Sequence, residues 1–188
     1  MLGRYQGRNG AIEIVECSAD GTRIYFEEGV RQSQATPDGE SVFSYVRLMD
    51  ELLHRATNIL VLGCGGGNLA TRLARLGKDL TIVDNNPISF VIAQRYFGLP
   101  DGLPLVVSDF RKFILDDDLL YDGIAIDVGG PDFCFDDEFD VETSRNWPGS
   151  KASTRKPPTS CRAGRENIWN SSRPSWKTSA RNSVWMML

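Results

Sequence analysis

Ile59-Leu60-Val61-Leu62-Gly63-Cys64-Gly65-Gly66-Gly67-Asn68 decides how this chain of 188 residues folds. Four consecutive apolar residues without polar alternation suit a strand covered on both faces, and helical apolar spacing begins beyond the glycines. The stretch predicts a buried parallel strand, a tight turn and a helix N-terminus. Glycines serve there because the turn demands backbone angles that a Cβ forbids, and because a ligand can approach bare main chain closely. Roughly twenty residues beyond Gly63 a second apolar run, Leu80, Thr81, Ile82 and Val83, ends in Asp84. An acid at that spacing can accept both hydroxyls of a ribose, so the expectation is a nucleoside-cofactor site on a doubly wound sheet.

The glycine spacing refines this. Gly63, Gly65 and Gly67 give G-x-G-x-G, the form common where S-adenosylmethionine binds and no pyrophosphate needs cradling. Gly65, Gly67 and Ala70 also fit the dinucleotide pattern G-x-G-x-x-A. In that register the first glycine would lie past the strand end, which disfavours it.

Outward from the turn the chain alternates. Leu69, Leu73 and Leu76 share a helix face that ends at Gly77. Asn85-Asn86-Pro87 opens the next helix with an Asn as cap, and Gly98 closes it. Leu105-Val106-Val107 predicts a third strand, with Asp109 just past its end and a short helix after it. Residues 121–126 predict a fourth, ending in Asp127. Such alternation implies a parallel sheet with right-handed crossovers, which binds ligands at the carboxyl ends of its strands. Gly63, Asp84, Asp109 and Asp127 all stand at such ends. Asp127 also has a plain structural alternative as a turn or N-cap residue, and Asp109 as an ordinary turn acid.

Upstream, Ala11 to Val15 and Ile24 to Phe26 read as two strands joined by the turn chemistry of Ala19-Asp20-Gly21. Apolar residues recur at helical spacing over 41–55. The organisation expected is an N-terminal β unit at 1–40, a nucleoside-binding α/β domain at 41–143, and an irregular tail at 144–188.

Composition narrows the classes. No apolar run approaches the ~20 residues a membrane span requires, and the first residues lack a secretory leader. Cys17, Cys64, Cys134 and Cys161 show no C-x-x-C spacing and His54 is the only histidine. No metal site or disulfide framework is therefore expected, and the cytoplasm is the default location. The net charge of -4 conceals a break: residues 1–143 carry 24 acidic and 12 basic side chains, whereas residues 144–188 carry Glu166 against nine basic ones. An acidic body argues against nucleic acid and suits cationic ligands.

With these residues in view, the first 135 or so resemble the polyamine aminopropyltransferases, the spermidine synthase family, built on a class I methyltransferase-like (Rossmann-like) fold. Arg4-Tyr5-Gln6 is similar to the family's S-x-Y-Q opening, Gly29-Val30-x-Gln32 to its D-G-V-x-Q segment, and Phe43-Ser44-Tyr45 to its F-S-Y helix start. The resemblance implies that Gln6 and the turn at Gly63, Gly65 and Gly67 hold decarboxylated S-adenosylmethionine, with Asp84 on its ribose and Asp109 on the adenine amino group. It further implies that Gln32 and Tyr45 bind substrate and that Asp127, the first acid of a D-x-x-D motif, is catalytic. A polyamine such as putrescine would be the acceptor, without nucleic acid or membrane, and a homodimer is possible.

Four positions depart from the pattern. Gly66 replaces an acid that grips the aminopropyl amine, and Gly130 stands where the second acid of D-x-x-D belongs. Ile82 aligns with the ribose-binding Glu, so that Asp84 takes over from two residues along. Val46 replaces a polar residue. Two other readings therefore stay open: an S-adenosylmethionine-dependent methyltransferase, and a non-catalytic nucleoside-binding remnant.

The tail contains all four tryptophans, nine serines, nine basic residues and four prolines. It lacks helical or strand periodicity and reads as disordered. A frameshift near residues 142–144 would explain the break; apolar strand–helix alternation in another frame of the gene would support that, and its absence from both would refute it.

Overall fold

The computed structural model describes residues 1–116 and 120–129, together with the backbone of 184–187. Two sheets form the body. The first is antiparallel, in the order β1 (Gly3–Gln6), β2 (Ala11–Glu16), β3 (Arg23–Glu27), β4 (Val30–Ala35). The sequence predicts only β2 and β3. The outer strands escape notice because Gly-Arg-Tyr-Gln and Val-Arg-Gln-Ser-Gln-Ala bury little and carry no apolar run. A two-residue hairpin fixes the register of β4: Glu28 and Gly29 both take positive φ, 48° and 74°, as a twist-matched turn requires.

The second sheet is parallel, in the order β7 (Leu105–Val107), β6 (Asp79–Asp84), β5 (Asn58–Leu62), β8 (Gly123–Ile126), β9 (Val184–Met187). Strand order reverses at β5: β6 and β7 lie on one side, β8 on the other. Helices α1 (Ser44–Leu52), α2 (Asn68–Arg75) and α3 (Pro87–Phe97) pack on one face, where Met49, Leu53, Leu73 and Ile82 are wholly buried. Helix α4 (Phe110–Asp116) covers the other, with Ile114 against Leu60, Leu62 and Val83. Each such side chain withdrawn from water contributes about 1.5–3 kcal/mol.

Local chemistry sets the boundaries. Asn86 caps α3 by accepting the Ile88 N–H at 3.3 Å, Pro87 takes the first helical position, and Gly98 ends the helix in the left-handed region. Helix α1 starts at Ser44, later than the predicted 41, because Ser41 is bridged to Ala35 and its hydroxyl accepts the Phe43 N–H. In the tail, Val184–Met187 pairs in parallel with β8; the apolar Val-Trp-Met-Met is a strand the search for periodicity passed over. The other tail expectations, and the Gly130 departure, lie outside the described residues. No described helix is long and apolar enough to cross a membrane.

Candidate functional site

The turn after β5 meets β8 at the point where strand order reverses. Gly63 sits at φ 92°, and a Cβ there would come within 2.0 Å of the Asp127 carbonyl oxygen. Only glycine lets the two strand ends approach so closely. Above this junction opens a cleft of about 260 Å³. The parallel sheet supplies Asp84, Asp109 and Asp127 to its lining, and the antiparallel sheet supplies Tyr25, Glu27, Gln32 and Ser33.

The N–H groups of the turn point inward to the protein. Gly63 N–H donates to the Val83 carbonyl at 2.8 Å and Gly67 N–H to that of Cys64 at 2.6 Å. Cys64 N–H donates to Asp84 Oδ2 at 2.7 Å, and Gly66 N–H to Ser33 Oγ at 2.9 Å. Gly65 N–H is also turned to the Asp84 carboxylate. An anion cradle needs free N–H groups aimed at the ligand. This turn has its donors engaged, and acids line the cleft beyond it. The dinucleotide register, which would set a pyrophosphate here, is thereby disfavoured a second time.

The acids differ in what holds them. Asp84 receives Cys64 N–H on one oxygen and Asn86 N–H on the other, both at 2.7 Å. Burial nevertheless raises its pKa, with those amides opposing. Asp109 accepts the N–H groups of Arg111 and Lys112 through Oδ1 and pairs with the Arg111 guanidinium at 2.9 Å. That guanidinium, chiefly, holds its carboxyl below the usual range. Asp109 therefore does cap α4, and its edge toward the cleft is what remains for a ligand. Asp127 has a long contact from the Tyr45 hydroxyl, at 3.4 Å on Oδ2. Burial pushes its pKa up to about 6, the tyrosine opposing.

Of the other expected residues, Gln32 and Tyr45 reach the cleft lining. Gln6 does not: it stands exposed at the end of edge strand β1, its amide 3.5 Å from the Gly7 carbonyl. Ile82 lies mid-strand in the core with no exposed surface, so the position that can meet a ligand here is Asp84 at the strand end. Val46 is 4% exposed and belongs to the apolar core under α1.

Glu27 and Ser33 were missed. Glu27 Oε1 is buried without a hydrogen-bond partner among the described residues, and burial, then the nearby Asp84, raises the carboxyl pKa, with Asn9 opposing. The signal was the period of a strand: Glu27 follows the cleft-lining Tyr25 by two residues and shares its face.

No family model matches this chain. Short sequence matches run to methyltransferases. The chain is 36% identical over 58 residues, 31% of its length, to the N-terminal histidine N-methyltransferase of Emericella nidulans, of which this is 10%. It is 44% identical over 41 residues, 22% of its length, to the mitochondrial ubiquinone biosynthesis O-methyltransferase of Schizosaccharomyces pombe, of which this is 15%. Whole-fold similarity runs to spermidine synthases. A probable spermidine synthase from Corynebacterium glutamicum superposes with a TM-score of 0.66 at 20% identity, over 78% of this chain and 58% of the other. A spermidine synthase in complex with the transition state analogue AdoDATO gives 0.60 at 17% identity, over 77% and 52%. The Thermotoga maritima spermidine synthase gives 0.55 at 19%, over 69% and 47%. The chain thus spans roughly half the length of the solved structures it resembles, and what it shares with them is the fold: a class I methyltransferase-like parallel sheet beside a small antiparallel one, as in the spermidine synthases.

Proposed function

We propose that this chain is a spermidine synthase-like transferase that moves an aminopropyl group from decarboxylated S-adenosylmethionine to a polyamine such as putrescine. The observation that carries the reading is the cleft at the strand-order reversal: its glycine turn has its N–H donors engaged within the protein, while Glu27, Asp84, Asp109 and Asp127 line it. Such a cleft repels phosphate and favours a nucleoside that carries positive charge. A sulfonium with an ammonium tail, and an amine acceptor, both answer that description.

In this reading Asp84 accepts the ribose hydroxyls, the free edge of Asp109 meets the adenine amino group, and Gln32 and Tyr45 line the path of the amine. Gln6 stays a candidate only through movement of β1. Asp127 supplies the chemistry. A primary amine with a pKa near 10 has no free lone pair at neutral pH. Asp127, with a pKa of about 6, is mostly ionised at pH 7 and can hold the ammonium, then accept or relay its proton. The amine nitrogen attacks the methylene beside the sulfonium and forms a C–N bond. The C–S electron pair goes to sulfur, and neutral methylthioadenosine leaves. The secondary ammonium so formed keeps its proton at neutral pH, and Asp127 passes the proton it took to solvent.

Mixing the purified chain with decarboxylated S-adenosylmethionine and putrescine, then looking for methylthioadenosine by mass spectrometry, tests this directly. Formation of both methylthioadenosine and the elongated amine is expected; binding of the donor with no product overturns it. An S-adenosylmethionine-dependent methyltransferase is the second reading, favoured by the two short methyltransferase matches. Release of S-adenosylhomocysteine instead of methylthioadenosine would select it.

A further inference from the structure

Behind the glycine turn, between α1 and α2, lies a second cavity with room for about one water-sized group, about 10 Å³. Asp127 and Tyr45 line both it and the main cleft. Asn68, the first residue of α2, also lines it and is 7% exposed. The Asn68 amide nitrogen donates to the Gln34 carbonyl at 3.3 Å, which fixes the orientation of the group. Its Oδ1 is buried and has no hydrogen-bond partner among the described residues. An acceptor buried in this way costs about 1–3 kcal/mol unless something donates to it. No Lys, Arg or His lines the cavity.

The neighbouring glycine explains why an amide has this position. A Cβ on Gly66 would come within 2.7 Å of the Ser33 Cβ and 2.9 Å of Asn68 Oδ1. Asn68 and Ser33 have filled the space, so residue 66 cannot carry an acid without pushing both aside. The oxygen-bearing side chains lining this cavity are Asp127, Tyr45, Asn68, Ser33 and Ser41, all of which can accept; the Ser33 and Ser41 hydroxyls already receive the Gly66 and Phe43 N–H groups.

We propose that Asn68 is the residue that reads the tail of the bound nucleoside: its Oδ1 accepts a hydrogen bond from a primary ammonium seated in this cavity beside Asp127. The proposal rests on the nucleoside reading above and adds to it the tail chemistry and a neutral selector. A small ammonium brings three donors to acceptors on two sides. A carboxylate tail would find none of the turn's N–H groups open to it.

The test compares two uncharged-sulfur ligands by calorimetry, methylthioadenosine and its 3-aminopropylthio analogue, on the full chain. The wild type is expected to bind the amino-tailed ligand at least tenfold more tightly. In Asn68→Leu, similar in volume but without the acceptor, that ratio should fall to within twofold of unity while methylthioadenosine affinity holds. Asn68→Asp should widen the ratio several-fold above that of the wild type. Because the readout is a ratio within one protein, partial unfolding of a variant lowers both affinities and leaves the ratio interpretable. Equal binding of both ligands by the wild type, or an unchanged ratio in Asn68→Leu, overturns the proposal and leaves the nucleoside reading standing. Failure of the wild type to bind either overturns both.

Discussion

Asp84 and Asp127 end neighbouring regions of one cleft, yet they are held in opposite ways. Asp84 has a backbone amide on each oxygen at 2.7 Å, so its place is set by the main chain of the turn and of the loop into α3. Among the described residues the Asp127 carboxylate has one long hydrogen bond, from Tyr45 at 3.4 Å. Both lose water, but the first recovers far more hydrogen bonding for it. A carboxylate fastened by main chain holds a shape, whereas one that is dehydrated and loosely held is available to a ligand and sensitive to pH. In the proposed reading the nucleoside end is therefore prebuilt, and the amine end waits for charge.

The sharpest way to break this contrast is to neutralise the loosely held acid. Asp127→Asn should lower turnover by about 10³-fold, within the range general acid–base groups supply; single-turnover release of methylthioadenosine at saturating donor measures it. An effect below tenfold would return Asp127 to a turn residue. Next, Asp84→Ala leaves the Cys64 and Asn86 amides without acceptors and should cost about 2–3 kcal/mol in urea unfolding as well as nucleoside binding. If binding is lost at unchanged stability, the cradle is not what fixes the turn.

The same Asp127→Asn change should act on stability with the reverse sign. A carboxyl raised to about 6 from 3.8 favours the fold while protonated, and that advantage is lost as pH climbs from about 4 through 6. The variant should be more stable than the wild type at pH 7 by about 1–2 kcal/mol, discounted for the edge open to the cleft. The gain should vanish below pH 4, and a gain that persists there would refute the assignment. Smallest is Tyr45→Phe. It removes a contact that lowers the Asp127 pKa, so the acid limb of the pH–rate profile should move up by a few tenths of a unit, with turnover down a few-fold. A shift downward would mean that Tyr45 does not donate to Asp127.

Four of the five strands of the parallel sheet were legible because their apolar runs, most deeply buried in β5 and β8, are punctuated by glycine or acid at their ends, whereas β9 was not. Asp84, Asp109 and Asp127 were legible with it, since a strand end is a place a sequence can mark. What stayed hidden depends on contacts between segments far apart in the chain. The polar edge strands β1 and β4 have no pattern of their own. That Asp109 spends much of its carboxylate on Arg111 and the start of α4 follows from geometry, not from type. Ile82 is buried within β6 while Asp84, two residues on, stands at the strand end, a placement that residue type alone does not decide. Nothing in Gly66 or Asn68 alone tells that Ser33 closes the turn's amide.

That hydroxyl has a consequence for how the molecule can be divided. Ser33 belongs to the antiparallel sheet, and so does the Gln34 carbonyl that tethers Asn68. The first thirty-five residues thus latch the glycine turn of a fold to which they look merely appended. Cut away, they would take with them the clasp on that bend and one wall of the cleft, and would bare Ile92 and Phe97 of α3, which are buried against Ile12, Ile14 and Tyr25.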